Sequence, residues 1–142
     1  MSSVERAIEI VAAAHAGQVV KSGQPYILRP LRVMLSVSTE NERIAAVLHD
    51  VVEDTPFTFE DLEREGFTQE VVDAVRVLTK LDGESRTDAA KRAVRNPVAR
   101  PVKLADVAEN MNLDRIANPT QKDYARIEEY KKVCKILRRG PD

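Results

Sequence analysis

One cysteine, no tryptophan, three phenylalanines, three tyrosines and five glycines are spread over 142 residues. The lone thiol, Cys134, cannot pair within the chain, so a disulfide framework is excluded and a reducing cytoplasm is the natural setting. No aromatic residue interleaves the basic C-terminal run KKVCKILRRG, which argues against a base-stacking surface for nucleic acid. That run reads instead as the end of a helix, where cations offset the negative pole of the backbone. No apolar stretch approaches the roughly 20 residues needed to cross a bilayer, and Glu5, Arg6 and Glu9 break up the N-terminal segment, so neither a membrane span nor a targeting signal is expected. An excess of one charge is also missing. Twenty-two basic residues against 23 acidic ones leave a net charge of −1, so any affinity for phosphate must be local. A Gly-rich phosphate-cradling turn, internal repeats, low-complexity tracts and sustained strand alternation are absent as well.

What is there is a globular composition, 43% hydrophobic and 32% charged, on a chain sized for one domain spanning residues 1–142. A second catalytic domain would not fit. Ser2 with Glu5 matches a capping box, followed by Val4, Ile8, Val11 and His15 near helical spacing, which predicts a first helix to about Ala16. GQVVKSGQPYILRP has no helical period and reads as a loop. Pro30 then suits the first turn of a short helix turning Leu31, Met34 and Leu35 inward. A third helix is expected over about Glu42 to Val52, with Ile44, Val47, Leu48 and Val51 on its apolar side. Thr58 and Asp61 can cap a short helix through Arg64, which Gly66 stops. Val71, Val72, Val75 and Leu78 recur at three- and four-residue steps, so the valine-rich segment from Thr68 reads as helix although valine favours strands. Short helices over Asp88–Val94 and from Val102 toward Met111, then a last one over about Thr120 to Leu137, complete an all-α architecture.

Chemistry concentrates in LHDVVEDT, Leu48 to Thr55. On a helix His49 and Glu53 lie one turn apart, as do Asp50 and Asp54, so three carboxylates and an imidazole crowd one end of one element. Such carboxylates are costly to keep ionised unless a cation offsets them. The neutral imidazole of His49 with the carboxylate of Asp50 forms a nitrogen and oxygen donor set that suits manganese, zinc or iron better than calcium. A solvated acidic helix end is the plain alternative. VKLADVAENM, Val102 to Met111, places Asp106 inside an otherwise apolar helix with Lys103 and Asn110 about one turn to either side. Asp106 is either a hydrogen-bonded structural residue or a further ligand.

Together AHAGQ, KSGQPYI, LHDVVEDTPFTFEDL and VKLADVAENM resemble, in order and separation, the HD-domain superfamily, and within it the hydrolase half of RelA/SpoT-type alarmone enzymes and their small stand-alone relatives. The likeness covers about Ala14 to Leu113. It implies a compact HD-type helical domain in which His49, Asp50 and Asp106 hold a divalent metal, usually manganese. It assigns Glu53 and Asp54 to positioning or activating water, Lys21 to neutralising substrate phosphate and Asn110 to contacting the nucleotide. The implied activity is metal-dependent phosphohydrolysis of a guanosine nucleotide, (p)ppGpp, at its 3′-diphosphate. With no synthetase half following, the resemblance points to alarmone removal.

Two positions depart from the family pattern. Where its Y-I-x-H-P places a histidine ligand, this chain has Arg29, whose guanidinium stays protonated and offers no lone pair. A three-ligand site completed by water remains chemically able to make a nucleophile. Arg29 would then assist by contacting phosphate. In the alternative, Arg29 neutralises the carboxylates itself and leaves a catalytically degenerate module that binds a nucleotide or a protein partner. Val20 replaces an arginine that the family often sets beside the lysine, which weakens the assignment of the base. Tyr26 is expected to pack beneath the loop, and His15 to be structural.

Overall fold

The computed structural model describes residues 3–20, 22–111 and 118–141. Among these, helices are the only regular elements: α1 (Val4–Ala14), α2 (Leu28–Leu35), α3 (Glu40–Leu48), α4 (Val51–Asp54), α5 (Phe59–Arg64), α6 (Gln69–Leu78), α7 (Arg86–Ala93), α8 (Ala99–Asn110) and α9 (Gln121–Arg139). One isolated antiparallel bridge joins Val19 to Pro25 in the α1–α2 connection. No helix among the described residues is long and apolar enough to cross a membrane.

Polar side chains set where the helices begin. Thr58 accepts from Asp61 N–H while Asp61 accepts from Thr58 N–H, and Thr120 and Asp123 repeat the arrangement at α9, so each box satisfies two backbone donors that a helix start leaves unpaired. Ser3, not Ser2, caps α1, its hydroxyl accepting from Arg6 N–H; Ser2 lies outside the described residues. The valine-rich segment is helical, and α6 starts behind its cap Thr68 as expected.

The α3 segment packs at the centre. Ile44, Ala45, Ala46, Val47 and Leu48 are all buried, against α1, α2, α6 and α8, and Val102 and Val107 of α8 join the same core. Two expectations are corrected here. Leu35 is 79% exposed, because α2 begins at Leu28 and so turns Pro30 and Val33 inward instead. The helix expected over Glu42–Val52 is two helices, broken at His49 and Asp50. His49 Nδ1 lies 2.5 Å from Ala46 O, the carbonyl that a continuous helix would offer to Asp50 N–H, and Asp50 relaxes to φ −106°, ψ 0°. The break turns the His-Asp pair toward α8.

Candidate metal and phosphate site

His49 is held by its other nitrogen. Nδ1–H donates to Ala46 O, which leaves Nε2 facing the interior, available as a ligand once its proton is displaced. Asp50 Oδ2 approaches that Nε2 at 3.1 Å and Asp106 Oδ1, brought in by α8, at 3.4 Å. Neither approach is an aligned hydrogen bond: His49 Nε2 and Asp106 Oδ1 are buried without a partner. Arg29, on the first turn of α2, completes the cluster. Its Nη2 donates to Asn110 Oδ1 and lies 3.7 Å from Asp106 Oδ1, while its Nε is also buried and unpartnered. Lys103 Nζ stands 3.9 Å from Asp106 Oδ2 on the same helix. His49 Nε2, Asp106 Oδ1 and Arg29 Nε thus keep unused hydrogen-bonding or ligating capacity within one cluster.

Electrostatics agree. Burial alone would strip the proton from His49, but the carboxylates of Asp50 and Asp106 outweigh it and hold the imidazole well above its ordinary pKa. Burial opposes ionisation of both aspartates, yet facing His49 lowers both carboxyls, that of Asp50 well below the usual carboxylate range. Glu53 and Asp54 move the other way. Each is raised by burial and then by the charge of Asp50, so the cluster still carries more negative charge than its neighbours balance. Four carboxylates, those of Asp50, Glu53, Asp54 and Asp106, are opposed in these interactions by the charges of Arg29 and Lys103 and by the proton that His49 holds, so negative charge remains in surplus.

That surplus and the two orphaned donor atoms suit a divalent cation held by His49, Asp50 and Asp106. Among the described residues, however, no three His, Cys, Asp or Glu side chains form a ready-made metal cluster. Arg29 brings a cation, not a lone pair, to the same carboxylate.

A cavity of about 200 Å³ opens on these groups. His49, Asp50, Glu53, Asp106 and Asn110 line it, as the sequence led one to expect. Asp54 does not; burial and then the charge of Asp50 raise its carboxyl. Lys21 lies outside the described residues. Lys80, Arg86 and Tyr130 also line the cavity and escaped the sequence reading. Arg86 sits over the Tyr130 ring, 5.2 Å from its centroid, and pairs with Glu129 at 2.9 Å. No local spacing connects residues 80, 86 and 130; the packing of α7 against α9 joins the last two. Tyr26 is buried as expected, and its hydroxyl reaches the site, donating to Asp50 Oδ2 at 2.5 Å.

A helical domain with a buried His-Asp pair opposed by an aspartate from a later helix defines a class, and comparison with known proteins names it. The HD-domain profile matches residues 7–126, and the chain belongs to the HD-domain family. It is 33% identical to a probable GTP pyrophosphokinase of Mycobacterium leprae over 98% of this chain and 19% of that protein. It is equally 33% identical to a guanosine-3′,5′-bis(diphosphate) 3′-pyrophosphohydrolase of Haemophilus influenzae, over 92% of this chain and 21% of the relative. The chain thus spans about a fifth of the length of these curated relatives. A solved structure described as a metazoan ortholog of SpoT that hydrolyzes ppGpp superposes with a TM-score of 0.82 at 26% identity, covering 99% of this chain and 88% of the other.

Proposed function

We propose that this chain is a metal-dependent phosphohydrolase that removes diphosphate from the 3′ position of a guanosine nucleotide, (p)ppGpp, with manganese as its ion. The observation that carries the reading is the pair of buried, unpartnered donors, His49 Nε2 and Asp106 Oδ1, 3.4 Å apart and joined by Asp50. Donors held about 2.1 Å from one ion stand roughly 3 Å or more from one another, so the 3.1 and 3.4 Å spacings from Nε2 to Asp50 and Asp106 suit a three-donor site that the surplus negative charge favours. A divalent ion bound there supplies Lewis acidity to a phosphoryl oxygen and makes water easier to deprotonate.

The residues of the chain do the rest. Glu53 lines the cavity with its proton affinity raised, which suits a group that takes a proton from attacking water. Asp54, raised likewise, supports it through charge. Lys103 and Lys80, with Lys21 from the preceding loop, offer cations to the phosphates, and Asn110 offers an amide. The phosphorus–oxygen bond to the 3′ oxygen breaks as water's oxygen bonds to phosphorus, giving free diphosphate and a guanosine 5′-di- or triphosphate whose 3′ oxygen takes up a proton as a hydroxyl. The names of the relatives in Haemophilus influenzae and of the metazoan ortholog support this choice of substrate. A nucleotide panel incubated with and without manganese tests it: release of diphosphate only with the ion supports the proposal, and intact nucleotide under every condition refutes it.

One observation favours a second reading. Arg29 already touches Asp106 and Asn110, so a resident guanidinium balances part of the charge that an ion would. On that reading the domain binds a phosphorylated ligand without cleaving it, and nucleotide binding persists undiminished in chelator. We infer a cytoplasmic setting for either activity, with which the unpaired thiol of Cys134 is compatible.

A further inference from the structure

Tyr26 is far from His49 in sequence yet ends on the same carboxylate. Gly17 and Gly23, at φ +83° and +86°, let the connection fold back on itself, and Tyr26 N–H donating to Gln18 O at 2.9 Å closes the return. The ring of Tyr26 lies on His15, 4.4 Å between centroids and tilted by 33°. His15 in turn is 3% exposed and fixed by a 2.9 Å bond between Nδ1 and Gln18 Oε1. The phenol therefore has a rigid pedestal, and its hydroxyl donates to Asp50 Oδ2 at 2.5 Å.

That oxygen is also the one 3.1 Å from His49 Nε2. A carboxylate oxygen accepts through two lone-pair sectors, so the phenol occupies one and leaves the other available on the oxygen that stands nearest the imidazole. Without the hydroxyl, the Asp50 carboxyl would be free to rotate away from His49. We propose that Tyr26, seated on His15, is a positioning residue that orients Asp50 as a ligand for the divalent ion. The inference rests on the ion reading given above and adds to it the residue that preorganises one of the donors.

Outer partners of metal ligands typically change metal affinity by about 10–100-fold when removed. Tyr26→Phe keeps the ring on His15 and deletes only the donor. The test is Mn2+ titration, followed by the electron paramagnetic resonance of the free ion, on wild type, Tyr26→Phe, Asp50→Ala and the double variant, with melting curves as a control. The expected result is about tenfold or greater weakening by Tyr26→Phe at an unchanged melting temperature, and no further weakening when it is added to Asp50→Ala. Wild-type affinity in Tyr26→Phe, or equal weakening in the Asp50→Ala background, overturns the positioning role alone. Wild type that takes up no ion overturns the parent reading as well, so the two failures are told apart.

Discussion

Nη2 of Arg29 lies 3.7 Å from Oδ1 of Asp106, the same oxygen that faces His49 Nε2 at 3.4 Å and has no hydrogen-bond partner. A permanent cation thus stands beside the carboxylate that an ion would need. Its charge opposes ion binding by Coulomb repulsion while lowering the cost of keeping Asp106 ionised, so it tunes the affinity of the site.

Arg29→His replaces that cation with a lone pair. The expected result is Mn2+ binding tightened by about tenfold or more, read by titration calorimetry, since a donor is gained and a positive charge removed. Unchanged affinity would show that the guanidinium does not limit the site.

Lys103 and Lys80 enter the cavity from different elements, α8 and the segment after α6. Removing either as alanine is expected to raise KM for the nucleotide by about tenfold, with kcat changed much less, because contacts to unreacting phosphates hold substrate and transition state alike. Steady-state kinetics at saturating manganese check this. A fall in kcat at constant KM would assign the lysines to the reacting phosphoryl group instead.

The wall bearing Lys80 depends on a clamp remote from the ion. Arg92 donates through Nε and Nη2 to Glu84, and through Nη1 and Nη2 to Val77 O and Thr79 O. The Arg92 hydrogen bonds are the main cause that pulls the Glu84 carboxyl down to about 2, against its burial. A depressed acid stabilises the fold above its unfolded pKa, and that contribution is lost as pH falls through its folded value. The melting temperature of Glu84→Gln should therefore trail wild type most near about pH 7, and the gap should close between about pH 4.5 and pH 2. A gap that persists at the acid end would contradict the assignment.

The helical framework was legible because its signals are local. Thr58 with Asp61 caps α5, and Val71, Val72 and Val75 share the buried face of α6. His49, Asp50 and Asp106 were legible through the motifs LHDVVEDT and VKLADVAENM, and the structure brings them together with Arg29 and Asn110. The helix break at Asp50 was not, since it arises from a side-chain bond to Ala46 O that competes with the backbone ladder inside an unbroken apolar period. Nor was the tie from Tyr26 to Asp50, or the wall of Lys80, Arg86 and Tyr130, because long-range packing alone joins those residues. Leu35 misled because the short α2 buries the stripe of Pro30 and Val33, and a stripe one residue over lies about 100° away around the axis.

The most direct measurement of the central claim is metal stoichiometry. Wild type and Asp106→Asn would be equilibrated with Mn2+ and the bound ion counted after gel filtration. The account predicts one ion per wild-type chain and a loss of most of it in the variant. A wild type that emerges metal-free, with guanosine nucleotide still bound in chelator, would contradict it and leave Arg29 as the resident charge of the site.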